Sequence, residues 1–249
     1  MARRDHFVIV GAQRCGSTYL TRLLDEHPDI EMAKPVRPEP KFFLDDEKYE
    51  RGIEFYESEY FSSPRARVRG EKSTSYIESE LAVGRIMVCF PEATIVVLLR
   101  DPVARAVSNY RFSVEQGVED WPLDEALRVS ADGTRPFDPA RFSASPYAYV
   151  PRGRYIDYLE RIARGVPRQQ IHIVFFESLV ADPAVVRDLY GRLGVDATFE
   201  PGGIGTTVNA SAGRDDPIDP SIVSWLRSYY AEPNERLAKF LAHELPWPS

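Results

Sequence analysis

The feature that most constrains the fold is a short apolar run that leads through a glycine-bearing turn into an amphipathic segment. Residues 7–10 are typical of a buried strand, Gly11 and Gly16 bracket the turn, and a helical pattern begins at Ser17. A strand, turn and helix in this order direct the N–H groups of the turn and of the helix N-terminus at one spot, where a phosphate or sulfate is stabilised. The sequence therefore predicts an oxyanion site near its start.

The turn departs in one position from the loop that binds nucleoside triphosphates. Its spacing from Gly11 to Gly16 and Ser17 is close to that of the triphosphate loop, but the expected lysine is missing after the second glycine. A different cation, Arg14, lies inside the turn instead. This pattern favours a phosphate-type ligand and argues against ordinary ATP chemistry.

A second apolar run predicts another anion site. Residues 93–99 form a continuous run with β-branched members, which is typical of a strand buried on both faces, and Arg100 follows it. Pro102 suits the first turn of a helix, on which Ser108 lies about two turns along. We expect Arg100 and Ser108 to hold a second anionic group. Two such sites on one parallel sheet suggest a ligand with phosphates at both ends.

Alternating strand and helix patterns predict an α/β fold with a central parallel sheet flanked by helices, in which ligands bind at the carboxyl ends of the strands. We expect strands near residues 6–10, 68–72, 94–99 and 171–175, and helices near 17–27, 102–116, 152–165, 183–193 and 219–230. The chain shows no internal repeat or long linker, so residues 1–249 are interpreted as a single domain. The segment 117–151, rich in Pro, Ser, Ala and Arg, is interpreted as a surface excursion and a candidate lid.

Composition narrows the class of protein. The chain is 43% hydrophobic and 28% charged, and it has no apolar run near the length of about 20 residues that a membrane span needs. Its first residues lack the core of a signal peptide, which predicts a cytoplasmic protein. Cys15 and Cys89 fit neither a disulfide framework nor a zinc spacing, so no metal is expected. The net charge of −7 weakens the case for nucleic acid or a long polyanion as partner.

At these residues the chain resembles the sulfotransferases that use 3′-phosphoadenosine 5′-phosphosulfate (PAPS), and in particular their heparan-sulfate or carbohydrate branch. The run Arg14-Cys15-Gly16-Ser17-Thr18-Tyr19 is similar to the 5′-phosphosulfate loop of the family, and Arg100 with Ser108 to its 3′-phosphate pair. Further segments follow in the order of the family, at residues 39–43, 70–73, 171–174, 213–214, 219–220 and 232–234. The resemblance runs from about residue 7 to residue 247 and implies a P-loop-like sulfotransferase fold.

The resemblance implies an enzyme that moves the sulfuryl group of PAPS to a hydroxyl of a small molecule, glycoside or glycolipid and releases the bisphosphate PAP. It assigns to cofactor binding Arg14, Cys15, Gly16, Ser17, Thr18, Tyr19, Arg100, Ser108, Gly213 and Arg214. It also implies a catalytic set of Glu39, Arg14, Lys72 and Lys41. Glu39 aligns with the general base of the carbohydrate branch, Lys72 with the Glu-Lys-Ser motif, and Lys41 stands where related enzymes often carry histidine.

Arg14 stands where the family usually has lysine. A guanidinium can hold a phosphosulfate with two hydrogen bonds, but it is not a compact proton donor. Lys72 or Lys41 is therefore the better candidate for the acid that protonates the leaving oxygen. The loop residues Gly16, Ser17 and Thr18 could also form a plain helix N-cap, since Ser and Thr are preferred there, and we expect the loop both to cap the helix and to bind the anion. Ala212 replaces the lysine that often precedes the late Gly-Arg pair.

Two other classes of function stay open from the sequence. A P-loop kinase would use the same strand, turn and helix, although the missing loop lysine and the context of Arg100 and Asp101 count against it. A catalytically silent PAP- or PAPS-binding module would fit if the arginine at position 14 marks lost activity. The acceptor and the oligomeric state are not determined by the sequence.

Overall fold

A computed structural model describes residues 5–133, 135–138, 141–205 and 217–248. Within these ranges it confirms the predicted α/β class, with one sheet of strand order β2-β3-β1-β4-β5 and flanking helices. The strands are β1 (Asp5–Gly11), β2 (Ile30–Met32), β3 (Val68–Lys72), β4 (Thr94–Leu99) and β5 (Ile171–Phe175). The helices are α1 (Ser17–Asp25), α2 (Asp46–Glu50), α3 (Gly52–Tyr60), α4 (Glu80–Cys89), α5 (Pro102–Glu115), α6 (Leu123–Asp132), α7 (Tyr155–Gly165), α8 (Phe176–Ala181), α9 (Ala184–Arg192) and α10 (Pro220–Leu241).

The chain divides into two compact units, of which the first, drawn from residues 1–98 and 161–208, carries the sheet. Strand β1 lies between β3 and β4 and is parallel to both, so its apolar side chains are buried on each face; Phe7 and Ile9 have no exposed surface. The register pairs Ile9 with Lys72, the last residue of β3. The turn after β1 and the end of β3 therefore lie at the same, carboxyl edge of the sheet.

The second unit, drawn from residues 99–160 and 209–249, is built from α5, α6, the first part of α7 and α10. It has its own apolar core, which comprises Val103, Ala106, Ala126, Leu127, Tyr149, Val150, Ile222, Leu226 and Tyr230. The hydroxyl of Tyr230 donates to the carbonyl of Val150 at 2.8 Å, which satisfies a polar group that would otherwise be buried alone. The interpretation of residues 1–249 as a single domain stays a prediction.

The described residues of the segment 117–151 include a helix that the composition did not indicate. The segment contains α6, whose Ala126 and Leu127 are buried, and it ends in Tyr149 and Val150, which have no exposed surface. These parts belong to the core of the second unit, so the interpretation as a surface excursion does not hold for them. The Pro and Ser residues of this segment favour loops, so its composition did not predict the short helix α6. A role as an acceptor-side lid stays a prediction.

The strands near residues 6–10, 68–72, 94–99 and 171–175 are confirmed. Strand β2, with only three residues, is too short to show an alternating pattern. Helices α2, α3, α4, α6 and α8 were not predicted. The helix expected near 219–230 continues to Leu241 because Pro233 lies inside it rather than ending it.

Pro233 is one of the buried residues of α10, together with Ile222, Leu226, Tyr230 and Leu237. Other positions of the same helix carry charged side chains, among them Arg227, Glu232 and Arg236. Buried side chains on one side of a helix stabilise it even where proline removes a backbone hydrogen bond. Across the described part of the chain, no helix combines the length and the apolarity that crossing a membrane would require. The cytoplasmic location stays a prediction.

Candidate active site

The turn between β1 and α1 ends in an N-terminus at which the structure describes no capping side chain. Gly16 is the N-cap of α1 and has a φ of 84°, in the left-handed region that glycine adopts without strain. Arg14 also has a positive φ, of 67°, which is uncommon for a residue with a side chain and recurs at ligand-binding turns. The first N–H groups of α1 are therefore available to an anion at the carboxyl edge of the sheet.

Of the three loop residues predicted to cap this helix, Gly16 takes the cap position, and Ser17 and Thr18 do not. The cap position falls one residue earlier, on Gly16, because the turn needs a left-handed residue there. Cys15 has no exposed surface, and the hydroxyl of Tyr19 accepts a hydrogen bond from the N–H of Gly205 at 3.0 Å. We therefore interpret the contribution of Cys15 and Tyr19 to an anion site as one of backbone N–H groups.

We expect Gly16→Ala to destabilise the protein by about 1–3 kcal/mol. A Cβ at this position would lie 2.5 Å from the ring of Phe176, in addition to the strain of the positive φ. Gly52→Ala is the matched control, because Gly52 has a φ of 83° and nothing within 4 Å of the added carbon. Urea unfolding of both variants measures the difference. Equal losses would show that the contact with Phe176 does not constrain the turn.

Glu39 and Lys72 form an ion pair at the carboxyl end of β3. The Nζ of Lys72 lies 2.8 Å from the Oε1 of Glu39, and the two side chains are only 5% and 17% exposed. Thr74 holds the same carboxylate, since its N–H donates to Oε2 at 3.0 Å and its hydroxyl lies 3.1 Å from Oε1. The structure thus brings together two residues that the sequence analysis placed in one catalytic set. It adds Thr74, which no motif had indicated.

Lys41 lies on the same segment as Glu39 and has a positive φ of 51°. Its backbone N–H donates to the hydroxyl of Ser73 at 3.0 Å, so the end of β3 holds the backbone of the segment as well as its carboxylate. The side chain of Lys41 is partly exposed. Its catalytic role stays a prediction.

A second carboxylate, that of Glu71, lies in the protein interior beside this pair. Its side chain has no exposed surface and accepts hydrogen bonds from the hydroxyls of Ser73 and Tyr76, both at 2.6 Å, and of Tyr56 at 3.0 Å. Burial raises the pKa of Glu71 to about 7, although the three hydroxyl bonds favour the charged form and oppose that rise. The sequence of β3, Val-Arg-Gly-Glu-Lys, does not distinguish Glu71 from an exposed acid; the burial of every residue of the strand does.

The predicted 3′-phosphate residues belong to the second unit. Arg100 directly follows β4, and its carbonyl accepts a hydrogen bond from the hydroxyl of Tyr155 at 2.8 Å. Its neighbour Asp101 caps α5 and also accepts two hydrogen bonds from Arg227, at 2.7 and 2.6 Å. Ser108 lies on α5 and is partly exposed.

Two further predicted cofactor residues, Gly213 and Arg214, fall outside the described residues. Their assignment, like that of Arg100 and Ser108 to a phosphate, stays a prediction.

Comparisons with known proteins agree on one family. A family model described as "Sulfotransferase domain" matches residues 4–203. Human heparan sulfate glucosamine 3-O-sulfotransferase 3B1 is 27% identical over 96% of this chain and 64% of its own length. A mouse bifunctional heparan sulfate N-deacetylase/N-sulfotransferase 4 is 30% identical over 98% of this chain and 31% of its own length. The chain thus spans less than two thirds of the length of these curated relatives.

Solved structures give the same result at the level of the fold. The crystal structure of a sulfotransferase from Alicyclobacillus acidocaldarius is 27% identical, with a TM-score of 0.80 and 98% of each chain covered. A mouse sulfotransferase, SULT7A1, solved in complex with PAP, has a TM-score of 0.62 at 14% identity and covers 97% of this chain and 88% of its own. The second likeness concerns the fold alone.

Proposed function

The chain belongs to the sulfotransferase family, and on that premise we propose that it is an enzyme that transfers the sulfuryl group of PAPS to a hydroxyl of a glycoside or small-molecule acceptor. The observation that carries the proposal is the Glu39–Lys72 pair at the edge of the sheet where the turn after β1 also ends. A carboxylate held in a fixed orientation beside an anion-binding turn is what proton removal and sulfuryl transfer require together.

The residues of the turn fit a phosphosulfate. Among the described residues no side chain caps the N-terminus of α1, which leaves its N–H groups for a ligand anion, and Arg14 supplies a positive charge within the same turn. Arg14 and these N–H groups would hold the 5′-phosphosulfate, while Arg100 and Ser108 would hold the 3′-phosphate. When bound, PAPS supplies the sulfuryl group, and the bond that breaks joins its sulfur to the 5′-phosphate oxygen.

Glu39 performs the proton transfer in this proposal. Its carboxylate takes the proton of the acceptor hydroxyl as the oxygen of that hydroxyl bonds to sulfur. Lys72 and Thr74 keep the carboxylate in place, since the Nζ of Lys72 lies 2.8 Å from Oε1 and the N–H of Thr74 donates to Oε2 at 3.0 Å. Arg14 and the N–H groups of α1 stabilise the negative charge that develops on the departing phosphate.

The acceptor class is proposed from two facts, of which the first points to a carbohydrate and the second to a compact molecule. The curated relatives are named for heparan sulfate, a carbohydrate. This chain has a net charge of −7, which disfavours a long polyanion. An acceptor panel of phenol, octyl glucoside and a short heparosan oligosaccharide covers a phenolic hydroxyl, an uncharged glycoside and an acidic sugar chain. Formation of a sulfated product from PAPS by mass spectrometry tests the proposal.

Arg100→Ala should weaken PAP binding by on the order of 2 kcal/mol, about thirtyfold, because a charge-assisted contact to the 3′-phosphate is lost. Binding of adenosine 5′-phosphosulfate, which lacks that phosphate, should change by less than about twofold. Isothermal titration of both ligands measures the two effects. Equal losses for the two ligands would refute the assignment of Arg100.

A further inference from the structure

We infer that Glu71 is a positioning residue, which fixes the segment that carries Glu39 through the hydroxyls of Ser73 and Tyr76. The inference rests on the proposed function, because it assigns Glu39 to proton removal. Glu71 itself has no exposed surface. Its effect on the reaction is exerted through the residues that it orients.

The first link runs through Tyr76. Its hydroxyl donates to the Oε1 of Glu71 at 2.6 Å and accepts the backbone N–H of Phe43 at 3.1 Å. A hydroxyl has only one proton to donate. Because the Tyr76 O–H points at Glu71, the lone pairs of the Tyr76 oxygen are left to accept the N–H of Phe43.

The second link runs through Ser73, whose hydroxyl likewise donates to Glu71 and accepts a backbone N–H. The hydroxyl of Ser73 donates to the Oε1 of Glu71 at 2.6 Å and accepts the N–H of Lys41 at 3.0 Å. One carboxylate oxygen therefore sets the direction of two hydroxyls, and these accept two backbone N–H groups of one segment. Hydrogen bonds arranged in such a chain strengthen one another in a buried environment.

These links reach Glu39 along a short stretch of chain. Lys41 and Phe43 are two and four residues beyond Glu39, and the fixed φ of Pro40 leaves little freedom between them. Thr74, which follows Ser73, holds the Glu39 carboxylate directly. The end of β3 thus holds both the backbone and the carboxylate of the base, and a displacement of about 1 Å there can cost about a hundredfold in rate.

The chain offers a matched control in Tyr56. Its hydroxyl also donates to Glu71, to Oε2 at 3.0 Å, and its side chain is as fully buried as that of Tyr76. Tyr56 lies on α3, however, and the hydrogen bond to Glu71 gives it no link to the backbone of residues 41–43. Tyr56→Phe and Tyr76→Phe therefore remove the same group from the same carboxylate, and only the second removes an acceptor from the Glu39 segment.

We expect Tyr76→Phe to lower kcat on the order of tenfold, with the KM for PAPS changed by less than about twofold. Tyr56→Phe should leave kcat within about twofold of the unsubstituted protein, although both variants lose a buried hydrogen bond and comparable stability. The measurement uses whichever member of the acceptor panel is turned over. Equal effects of the two variants on kcat would overturn the inference, since a merely structural role of Glu71 predicts them.

Amide hydrogen exchange gives a second readout that needs no acceptor. Tyr76→Phe should accelerate exchange at the N–H of Phe43, Ser73→Ala should do so at Lys41, and Tyr56→Phe should change neither. Unchanged exchange at Phe43 in Tyr76→Phe would overturn the inference even if the enzyme is active. Failure of the unsubstituted protein to sulfate any member of the panel would refute the proposed function instead, and accelerated exchange would then still support the two links.

Discussion

Glu39→Gln is expected to reduce turnover by at least about two orders of magnitude. Glutamine keeps the size of the side chain and can still accept from Thr74, but it cannot take a proton from the acceptor hydroxyl. The affinity for PAP should stay within about threefold, because no cofactor group is assigned to Glu39. Steady-state turnover of PAPS with an acceptor, together with isothermal titration of PAP, measures both parts of the prediction.

Glu47→Gln is a suitable control for this change. Glu47 lies on α2, eight residues from Glu39, and its side chain is exposed. The same substitution there should leave turnover within about twofold, since surface changes of this kind have small effects. Near-normal transfer by Glu39→Gln would eliminate Glu39 as the base and leave Lys41 as the next candidate.

Arg14→Ala should lower kcat/KM for PAPS by about two to three orders of magnitude, since the turn loses the charge that faces the departing phosphate. Arg14→Lys should retain activity within about tenfold or raise it, because lysine also carries a positive charge and concentrates it on one small group. Both variants keep the backbone of the turn available to the anion. Steady-state kinetics with PAPS as the varied substrate separates the two.

The comparison of the two Arg14 variants decides what the arginine contributes. If Arg14→Lys were as inactive as Arg14→Ala, the two hydrogen bonds of the guanidinium would matter more than its charge. If Arg14→Ala were fully active, the turn would bind its anion through backbone N–H groups alone.

The parts of the molecule that the sequence predicted are those with a local signal. The buried strand β1, the turn at Gly16 and the helix after Pro102 each have residue types that few other conformations accommodate. Glu39 and Lys72 were singled out by resemblance to motifs that lie far apart in the chain. Their contact at 2.8 Å depends on the parallel register of β2 and β3 and on the path of residues 33–41, which no local pattern encodes.

The parts that the sequence did not predict depend on tertiary contacts. Helix capping assigned to Ser17 and Thr18 failed because the turn places a left-handed residue at Gly16. Thr74 and Tyr76 look like ordinary residues of a polar turn after β3, and their roles follow from which groups they face. The short helices α2, α3 and α8 have five to nine residues, too few for a clear period, and packing stabilises them.

The most direct test of the central claim follows the sulfuryl group itself. PAPS labelled with radioactive sulfur is incubated with the full chain and each member of the acceptor panel, and a parallel reaction contains ATP labelled in its terminal phosphate with magnesium. We expect label from PAPS to appear in at least one acceptor, with one PAP released per sulfated product, and no phosphate label to be transferred. Tight binding of PAP without any labelled acceptor, or transfer of phosphate from ATP, would contradict the proposed sulfuryl transfer.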